Sequence, residues 1–419
     1  MLLCVALTFT GCSGFRGKNN ITNLLSAPKF SQTESEIVKA IDNYIGENVT
    51  LRHSTSQGYS SPVQFIDIDG DEKEEAVVFY YAPNKGANIR MALLSHSDGR
   101  WNIVSDKEGL GAEVFYFSAV SFEGLDTKQL LVGYNTANID ENFFVAYFTD
   151  GGSDIWEYAE SCQDIIVGDV TYDGYDDVIL SNRTSDGRMR LRSLSFTQDG
   201  TFRVVGTRLL KYYNIDITQF TLAHSKAGEM VLYADYRDDY NQMHTEGMVF
   251  RDGGKMFDAF QMTVVSKLWE YTDDLNCADI DGDGYIETPS VIQEERTDDP
   301  AVLKTVEWTD YTPEQPVRKY IGIYDTQESL FVAIPDSWQG EVYTEYSDGS
   351  WQVLRKTDDD KDGDNPLFTV TQVEYRNDIE LGAYSYIVYK DTKAWHLSFE
   401  KQVGLSDIQH ILKSVTDLG

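Results

Sequence analysis

An acidic frame that recurs along the chain is the feature that most limits the folds open to this sequence. Counting from Asp67, Asp169 and Asp279, three segments place oxygen-bearing side chains at positions 1, 3, 5 and 9, and each ends near an apolar run. These starting points are 102 and 110 residues apart, and residues 121–132 and 221–232, which lie midway, fit the same frame without most of its acids. The sequence therefore contains five copies of one unit, repeated about every 50 residues.

Each unit also contains several short apolar runs, which are separated by turn sequences such as residues 97–100 and 251–254. A small sheet of this length cannot bury both of its faces alone, so successive units are expected to stack on one another. The pattern predicts a mainly β fold, a β-propeller of about five to seven blades with Asp-rich loops. The alternative is a β-sandwich in which acidic turns recur by accident.

The spacing of the acids is typical of a calcium-binding loop. Calcium prefers six to eight oxygen ligands, and alternating short carboxylates on a tight turn bring several of them to one point. Position 7 of the frame would contribute its backbone carbonyl. The predicted ligands are Asp67, Asp69, Asp71, Lys73 and Glu75 in the first loop, Asp169, Thr171, Asp173, Tyr175 and Asp177 in the second, and Asp279, Asp281, Asp283, Tyr285 and Glu287 in the third. These residue types favour calcium over a transition metal.

The acidic loops have two alternative interpretations. An EF-hand requires Glu at position 12 between two helices, but position 12 is occupied by Val78, Leu180 and Ser290, and the loops lead into strand-like runs. That motif is therefore excluded. The other alternative, open for each of the three loops, is an acidic turn that water solvates without any ion.

The three loops resemble the calcium loops of FG-GAP and VCBS repeat propellers, whose blades also form integrin heads. The resemblance covers about residues 60–325. It implies that the ion holds the first hairpin of a blade, so calcium would have a structural role at up to three sites.

The ends of the chain predict a location and a domain plan. Residues 2–10 are uncharged and apolar and run into Gly11-Cys12, which resembles a bacterial lipoprotein signal with Cys12 as the lipidated residue. The alternative for this run is a buried N-terminal strand. We therefore expect a signal peptide at 1–11, a tether at 12–30, a helix with lead-in at 31–59, the propeller at 60–325, and an antiparallel α+β domain with a closing helix at 326–419. The protein would be lipid-anchored on the outer face of the cell membrane.

Charge and motif content limit the partners. With 69 acidic and 35 basic residues, the net charge of −34 excludes nucleic acid and anionic lipid headgroups as partners, because both recruit clusters of Lys and Arg. The six histidines are scattered, and the sequence contains neither a phosphate-binding loop nor a nucleophile elbow. No residue is assigned a catalytic role. Cys162 and Cys277 either pair or stay reduced.

Two functions follow as hypotheses. The first is a binding module that presents propeller loops to a protein or glycan, with calcium keeping these loops rigid. The alternative is an extracellular polysaccharide lyase or hydrolase on the same scaffold, which would require acid and base groups converging in the central funnel.

Overall fold

The computed structural model describes residues 31–55, 61–136, 142–149, 155–197, 200–264, 275–292, 303–310, 317–347, 349–356, 366–374, 383–390 and 393–418. Within these residues the chain is mainly β, with six antiparallel sheets that we label A to F in chain order. The predicted signal peptide and the tether with Cys12 lie outside the described residues.

Sheets A to E are built from strands that mostly pair with their neighbours in sequence. Sheet A contains β1 (Thr50–Arg52), β2 (Val63–Ile66), β3 (Glu75–Tyr81), β4 (Arg90–Ser97) and β5 (Arg100–Glu108). Sheet B contains β6 (Glu113–Val120), β7 (Gln129–Asn135), β8 (Asn142–Thr149) and β9 (Ile155–Cys162). Sheet C contains β10 (Ile165–Gly168), β11 (Asp177–Arg183), β12 (Arg188–Phe196) and β13 (Phe202–Tyr213). Sheet D contains β14 (Asp216–His224), β15 (Met230–Arg237), β16 (Met243–Arg251) and β17 (Lys255–Val264).

The last two sheets depart from this regular order. Sheet E contains β18 (Glu287–Ile292), β19 (Leu303–Asp310), β20 (Val317–Asp325), β21 (Leu330–Ala333) and, at the end of the chain, β27 (Thr416–Asp417). Sheet F contains β22 (Val342–Ser347), β23 (Ser350–Arg355), β24 (Phe368–Val373), β25 (Ser385–Lys390) and β26 (Lys393–Phe399), and β26 lies between β24 and β25. A short 3-10 helix, Asp336–Trp338, connects the two sheets.

Successive sheets pack face to face because alternate residues of a strand point to opposite faces. On β7, Leu130 and Val132 pack against sheet A, whereas Leu131 packs against sheet C. On β15, Leu232 faces sheet C and Val231 faces the start of sheet E. Continuous apolar runs on the second and third strands thus provide both faces of each sheet, as expected for strands buried on two sides.

The two ends of this stack are covered by different elements. Helix α1 (Gln32–Ile45) buries Ile37 and Ile41 against the face of sheet A that points away from sheet B. Sheet F covers the face of sheet E that points away from sheet D. Among the described residues, no hydrophobic cluster joins sheet A to sheet E or sheet F.

Both predicted helices are confirmed. Ser31 caps α1: its hydroxyl accepts from the Glu34 N–H at 3.1 Å, and the Glu34 carboxylate accepts from the Ser31 N–H at 2.7 Å. Helix α2 (Leu405–Ser414) buries Ile408 and Ile411 in a cluster shared by sheets E and F.

Strand pairing and packing cross the domain boundary expected after residue 325. Strand β21 pairs with β20, and β27 pairs with β21, so sheet E extends past this residue in both sequence and space. One hydrophobic cluster contains Ile323 of sheet E, Trp395 of sheet F and Ile411 of α2. The proposed division of the chain into domains stays a prediction.

Candidate metal centre

The three acidic frames occupy equivalent places in sheets A, C and E. Loop one (residues 67–75) connects β2 to β3, and loop two (169–177) connects β10 to β11. Loop three (279–287) leads into β18 and is closed by an isolated antiparallel bridge between Ala278 and Glu287. In each loop the acid at position 9 is the first residue of a strand, so the sheet fixes its backbone.

The acid at position 1 organises the backbone of every loop. Asp279 accepts from the N–H groups of Gly282 at 2.7 Å and Gly284 at 2.8 Å. Asp67 and Asp169 accept from the equivalent turns: Asp67 from Gly70 and Glu72, and Asp169 from Tyr172, Asp173 and Gly174. Positions 4 and 6 have positive φ in all three loops, which explains why glycine is frequent there. These hydrogen bonds define the turn through the chain's own groups.

The acid at position 9 reaches back to the N–H of position 2. Glu75 accepts from Ile68, Asp177 from Val170 and Glu287 from Ile280, each at 3.0 Å. Burial raises the pKa of each of the three carboxyls above its ordinary value, and burial together with the neighbouring Asp310 carboxyl raises that of Glu287 to about 8.

Loop one has a donor set that fits a calcium ion. Oxygens of Asp67, Asp69 and Asp71 all lie within 4.8 Å of one another, and Lys73 forms an ion pair with this group. Lys73 Nζ lies 2.7 Å from Asp71 Oδ2, with 72% of its side chain exposed. An ion at this site would be held by the three aspartates, with Glu75 and the Lys73 carbonyl available, and it would supply positive charge that fixes the turn.

Loop two is arranged differently. The Thr171 hydroxyl donates to Asp177 Oδ2 at 2.9 Å. Unlike those of loops one and three, the acids of loop two form no trio with oxygens within 4.8 Å of one another among the described residues. Instead, the Tyr172 hydroxyl accepts from the Met230 N–H at 2.6 Å and donates to the Phe250 carbonyl at 3.1 Å. A tyrosine side chain therefore attaches loop two to sheet D.

Loop three combines a possible ligand set with an internal cation. Oxygens of Asp279, Asp281 and Glu287 lie within 4.8 Å of one another. However, Lys319 Nζ on β20 lies 2.6 Å from Asp281 Oδ2 and 2.6 Å from Asp283 Oδ2. The predicted carbonyl donor Tyr285 lies with its ring under Lys226 Nζ, 5.4 Å from the ring centre.

Sequence reasoning missed the residues that other strands bring to loop three, namely Lys226, Asp310 and Lys319. Nothing in the loop sequence marks them, because they lie on sheet D and on β19 and β20 and meet the loop only through strand pairing. A purely local motif therefore identifies the acids but not the cations that neutralise them.

A cavity between sheets C and D was missed as well. This C–D cavity has a volume of about 700 Å3 and is lined by Arg188, Thr207, Arg208, Leu209, Leu210, Lys211, Glu246 and Asp258. Arg208 forms an ion pair with Asp258, and the Lys211 N–H donates to Glu246. Of the arginines that alternate along β12, only Arg188 lines this cavity, so this alternation in the sequence does not identify it.

The structure distinguishes the two states left open for the cysteines. Cys162 and Cys277 are both reduced and buried. No helix among the described residues is long and apolar enough to cross a membrane.

Comparisons with known proteins identify no family. No protein-family model matches the chain, and no curated protein matches it at a significant level. One solved structure that matches is a hypothetical protein from Leishmania major, with 11% identity, a TM-score of 0.21, and coverage of 67% of this chain and 91% of that chain. A similarity this weak carries no argument about fold or function.

Proposed function

We propose that the chain is a lipid-anchored, calcium-stabilised β-propeller that binds an anionic ligand outside the cell. Sheets A to E would be successive blades. Strands β2, β6, β10 and β14 begin at Val63, Glu113, Ile165 and Asp216, which are 50, 52 and 51 residues apart, and the bridge at Ala278 opens the fifth unit 62 residues after Asp216. Shared hydrophobic clusters between consecutive sheets support this stacking.

The observation that carries the binding role is the charge of the C–D cavity. Three cations, Arg188, Arg208 and Lys211, line one cavity in a chain whose net charge is −34. Both arginines already have carboxylate partners: Arg208 pairs with Asp258, and Arg188 pairs with Asp186 at 3.2 Å. A carboxylate or sulfate group of an acidic glycan would compete with these acids, and with Glu246, for the three cations.

Charge reversal at the cavity tests the binding role. Acidic polysaccharides and their neutral counterparts are presented to a soluble form beginning at residue 31, and binding is measured at low and high salt. We expect Lys211→Glu to weaken binding of the acidic polysaccharide at least tenfold, because one attraction becomes a repulsion. Lys39→Glu is the matched control: Lys39 is an exposed lysine of α1, and the net charge changes equally. Equal binding by both variants would refute the assignment of this cavity.

The calcium part of the proposal is tested at loop one. Chelation should lower the melting temperature of the wild type, and calcium should restore it, since an ion bound only by the folded state stabilises that state. Asp69→Asn keeps an acceptor for the Asp71 N–H, which Asp69 Oδ1 binds at 3.1 Å, but removes the charge. We expect this variant to lose the response to calcium. A full response in Asp69→Asn would exclude loop one as the site.

One cavity favours the alternative function, a polysaccharide lyase or hydrolase. A second cavity of about 390 Å3 is lined by Asp164, Arg183 and Asp216, among others. Burial raises the pKa of Asp164, which suits a general acid. Products released from acidic polysaccharides by the wild type, and absent with Asp164→Asn, would favour the enzyme.

A further inference from the structure

The acids of loop three surround a side-chain ammonium group. Lys319 Nζ lies 2.6 Å from Asp281 and Asp283, 3.4 Å from Glu287 Oε1 and 4.0 Å from Asp310 Oδ2. The lysine side chain is 17% exposed, and the Glu287 side chain is fully buried. An ammonium group has three N–H donors, so the two short contacts and the longer one to Glu287 match its donor number.

The position of this ammonium group is the one a metal ion would require. Asp281, Asp283 and Glu287 are positions 3, 5 and 9 of the acidic frame, and Lys319 contacts all three. A calcium ion bound by the same carboxylates, at about 2.3–2.6 Å from each oxygen, would lie within a few ångströms of Lys319 Nζ. Two cations at such a distance repel each other, and both need the same carboxylate oxygens. The lysine and the ion therefore exclude one another.

A second lysine completes the neutralisation. Lys226, in the turn between β14 and β15 of sheet D, is hydrogen-bonded to Asp310, and its Nζ lies 3.6 Å from Asp283 Oδ2. Asp310 is 4% exposed and is the last residue of β19. Lysines from two different sheets thus meet the acids of loop three, and these contacts connect sheet D to sheet E.

The buried oxygen of Glu287 gives independent support. Glu287 Oε1 is buried and has no hydrogen-bond partner among the described residues, yet it faces Lys319 Nζ at 3.4 Å. Its other oxygen accepts from the Ile280 N–H. A buried acceptor oxygen is costly unless a donor or a cation faces it, and the group that the described part of the chain places within 4.0 Å of it is the Lys319 ammonium.

We propose that the Lys319 ammonium group is the resident cation of loop three and takes the place that calcium would occupy in the acidic frame. Loop three is then a metal-free copy of loop one, and the calcium content of the protein is lower than its three acidic frames indicate. The inference does not depend on the ligand or on the binding role of the protein.

The experiment removes the lysine in a background without the loop-one site. Asp69→Asn is combined with Lys319→Met, which keeps the length of the side chain without its charge. Bound calcium is counted by elemental analysis after dialysis, and melting temperatures are measured in EDTA and in calcium. We expect one more calcium per chain than in Asp69→Asn alone, a lower melting temperature in EDTA, and its recovery by calcium. If the double variant binds no additional calcium, or melts at the parent's temperature in EDTA, the proposal is wrong.

A matched pair of variants keeps the test decisive if the double variant does not fold. Asp281→Asn in the otherwise wild-type chain should leave the calcium count unchanged, whereas loss of one ion would overturn the proposal. Lys73→Met is the control for removal of a lysine from an acidic loop, and it should not increase the count. The outcome is separate from that of loop one: if Asp69→Asn keeps its calcium, the calcium proposal for loop one fails, but the result for Asp281→Asn still decides the role of Lys319.

Discussion

Loops one and three have the same acidic frame and the same turn, but their surroundings differ. In loop one the aspartates are largely exposed, and the nearest cation, Lys73, belongs to the loop itself and points into solvent. In loop three Glu287 and Asp310 are buried, and Lys319 and Lys226 reach the acids from neighbouring strands. The frame thus specifies the backbone of the turn, whereas the neighbouring strands decide which cation balances its charge.

Loop two adds a third arrangement. It has Tyr172 with a φ of 64° where loops one and three have Gly70 and Gly282. The residue in this left-handed backbone conformation is the one whose hydroxyl hydrogen-bonds to sheet D. Loop one therefore has an acidic trio that fits an ion, loop two is held by a tyrosine, and loop three is held by a lysine.

Removal of the position-9 acid is expected to give the largest difference between loops one and three. Glu287→Ala deprives the buried Ile280 N–H of its acceptor and leaves a gap beside Lys319 and Asp310, so we expect a loss of about 3 kcal/mol in the free energy of unfolding. Glu75→Ala removes the same hydrogen bond at a half-buried site, and we expect a loss of about 1 kcal/mol. Urea unfolding in EDTA measures both. Equal losses would mean that burial does not distinguish the loops.

The pH dependence of stability should also distinguish the two loops. The pKa of Glu287 is raised from 4.5 to about 8 by burial and by the Asp310 carboxyl. Between pH 4.5 and about 8 the folded state therefore keeps a proton on Glu287 that the unfolded state releases. The stabilisation that this proton provides is complete below about pH 4.5 and is lost as the pH rises through about 8.

Glu287→Gln should remove this part of the pH dependence. The free energy of unfolding is measured in EDTA at several pH values, and the difference between variant and wild type should change steadily across that range. Glu75→Gln is the control, and it should show a smaller change, because burial is the cause of the shift and Glu75 is less buried. If the curves of wild type and Glu287→Gln run parallel, Glu287 does not titrate in this range.

Tyr172→Phe tests whether the hydroxyl holds loop two to sheet D. The substitution leaves the buried Met230 N–H without its acceptor, and we expect a loss of about 1–2 kcal/mol in the free energy of unfolding. Tyr175 is the matched control: it lies three residues later and is 40% exposed. Tyr175→Phe should leave stability unchanged, so similar losses in the two variants would contradict a specific role of the Tyr172 hydroxyl.

Local sequence determined much of the fold and less of the candidate site. The capping residues Ser31 and Glu34 mark the start of α1, and the acids Asp177 and Glu287 stand where strands begin, because capping and turn chemistry act over a few residues. Lys319 could not be assigned to loop three from sequence, since its place depends on the register of β20 against β19. The same limit applies to the C–D cavity, whose lining comes from two sheets.

The smallest effect is expected at Lys73, the lysine of loop one. Among the described residues its ammonium group forms an ion pair with Asp71, and most of its side chain is in water, where an ion pair contributes little to stability. Lys73→Ala should therefore leave the melting temperature in EDTA unchanged. It should tighten calcium binding by roughly twofold to fivefold, because the lysine no longer competes with the ion for Asp71. Calorimetric titration of calcium into the wild type and Lys73→Ala measures this. If Lys73→Ala lowers the melting temperature in EDTA as much as Lys319→Met does, then a lysine in either loop stabilises the fold, and the distinction between an ion-binding loop and a lysine-filled loop fails.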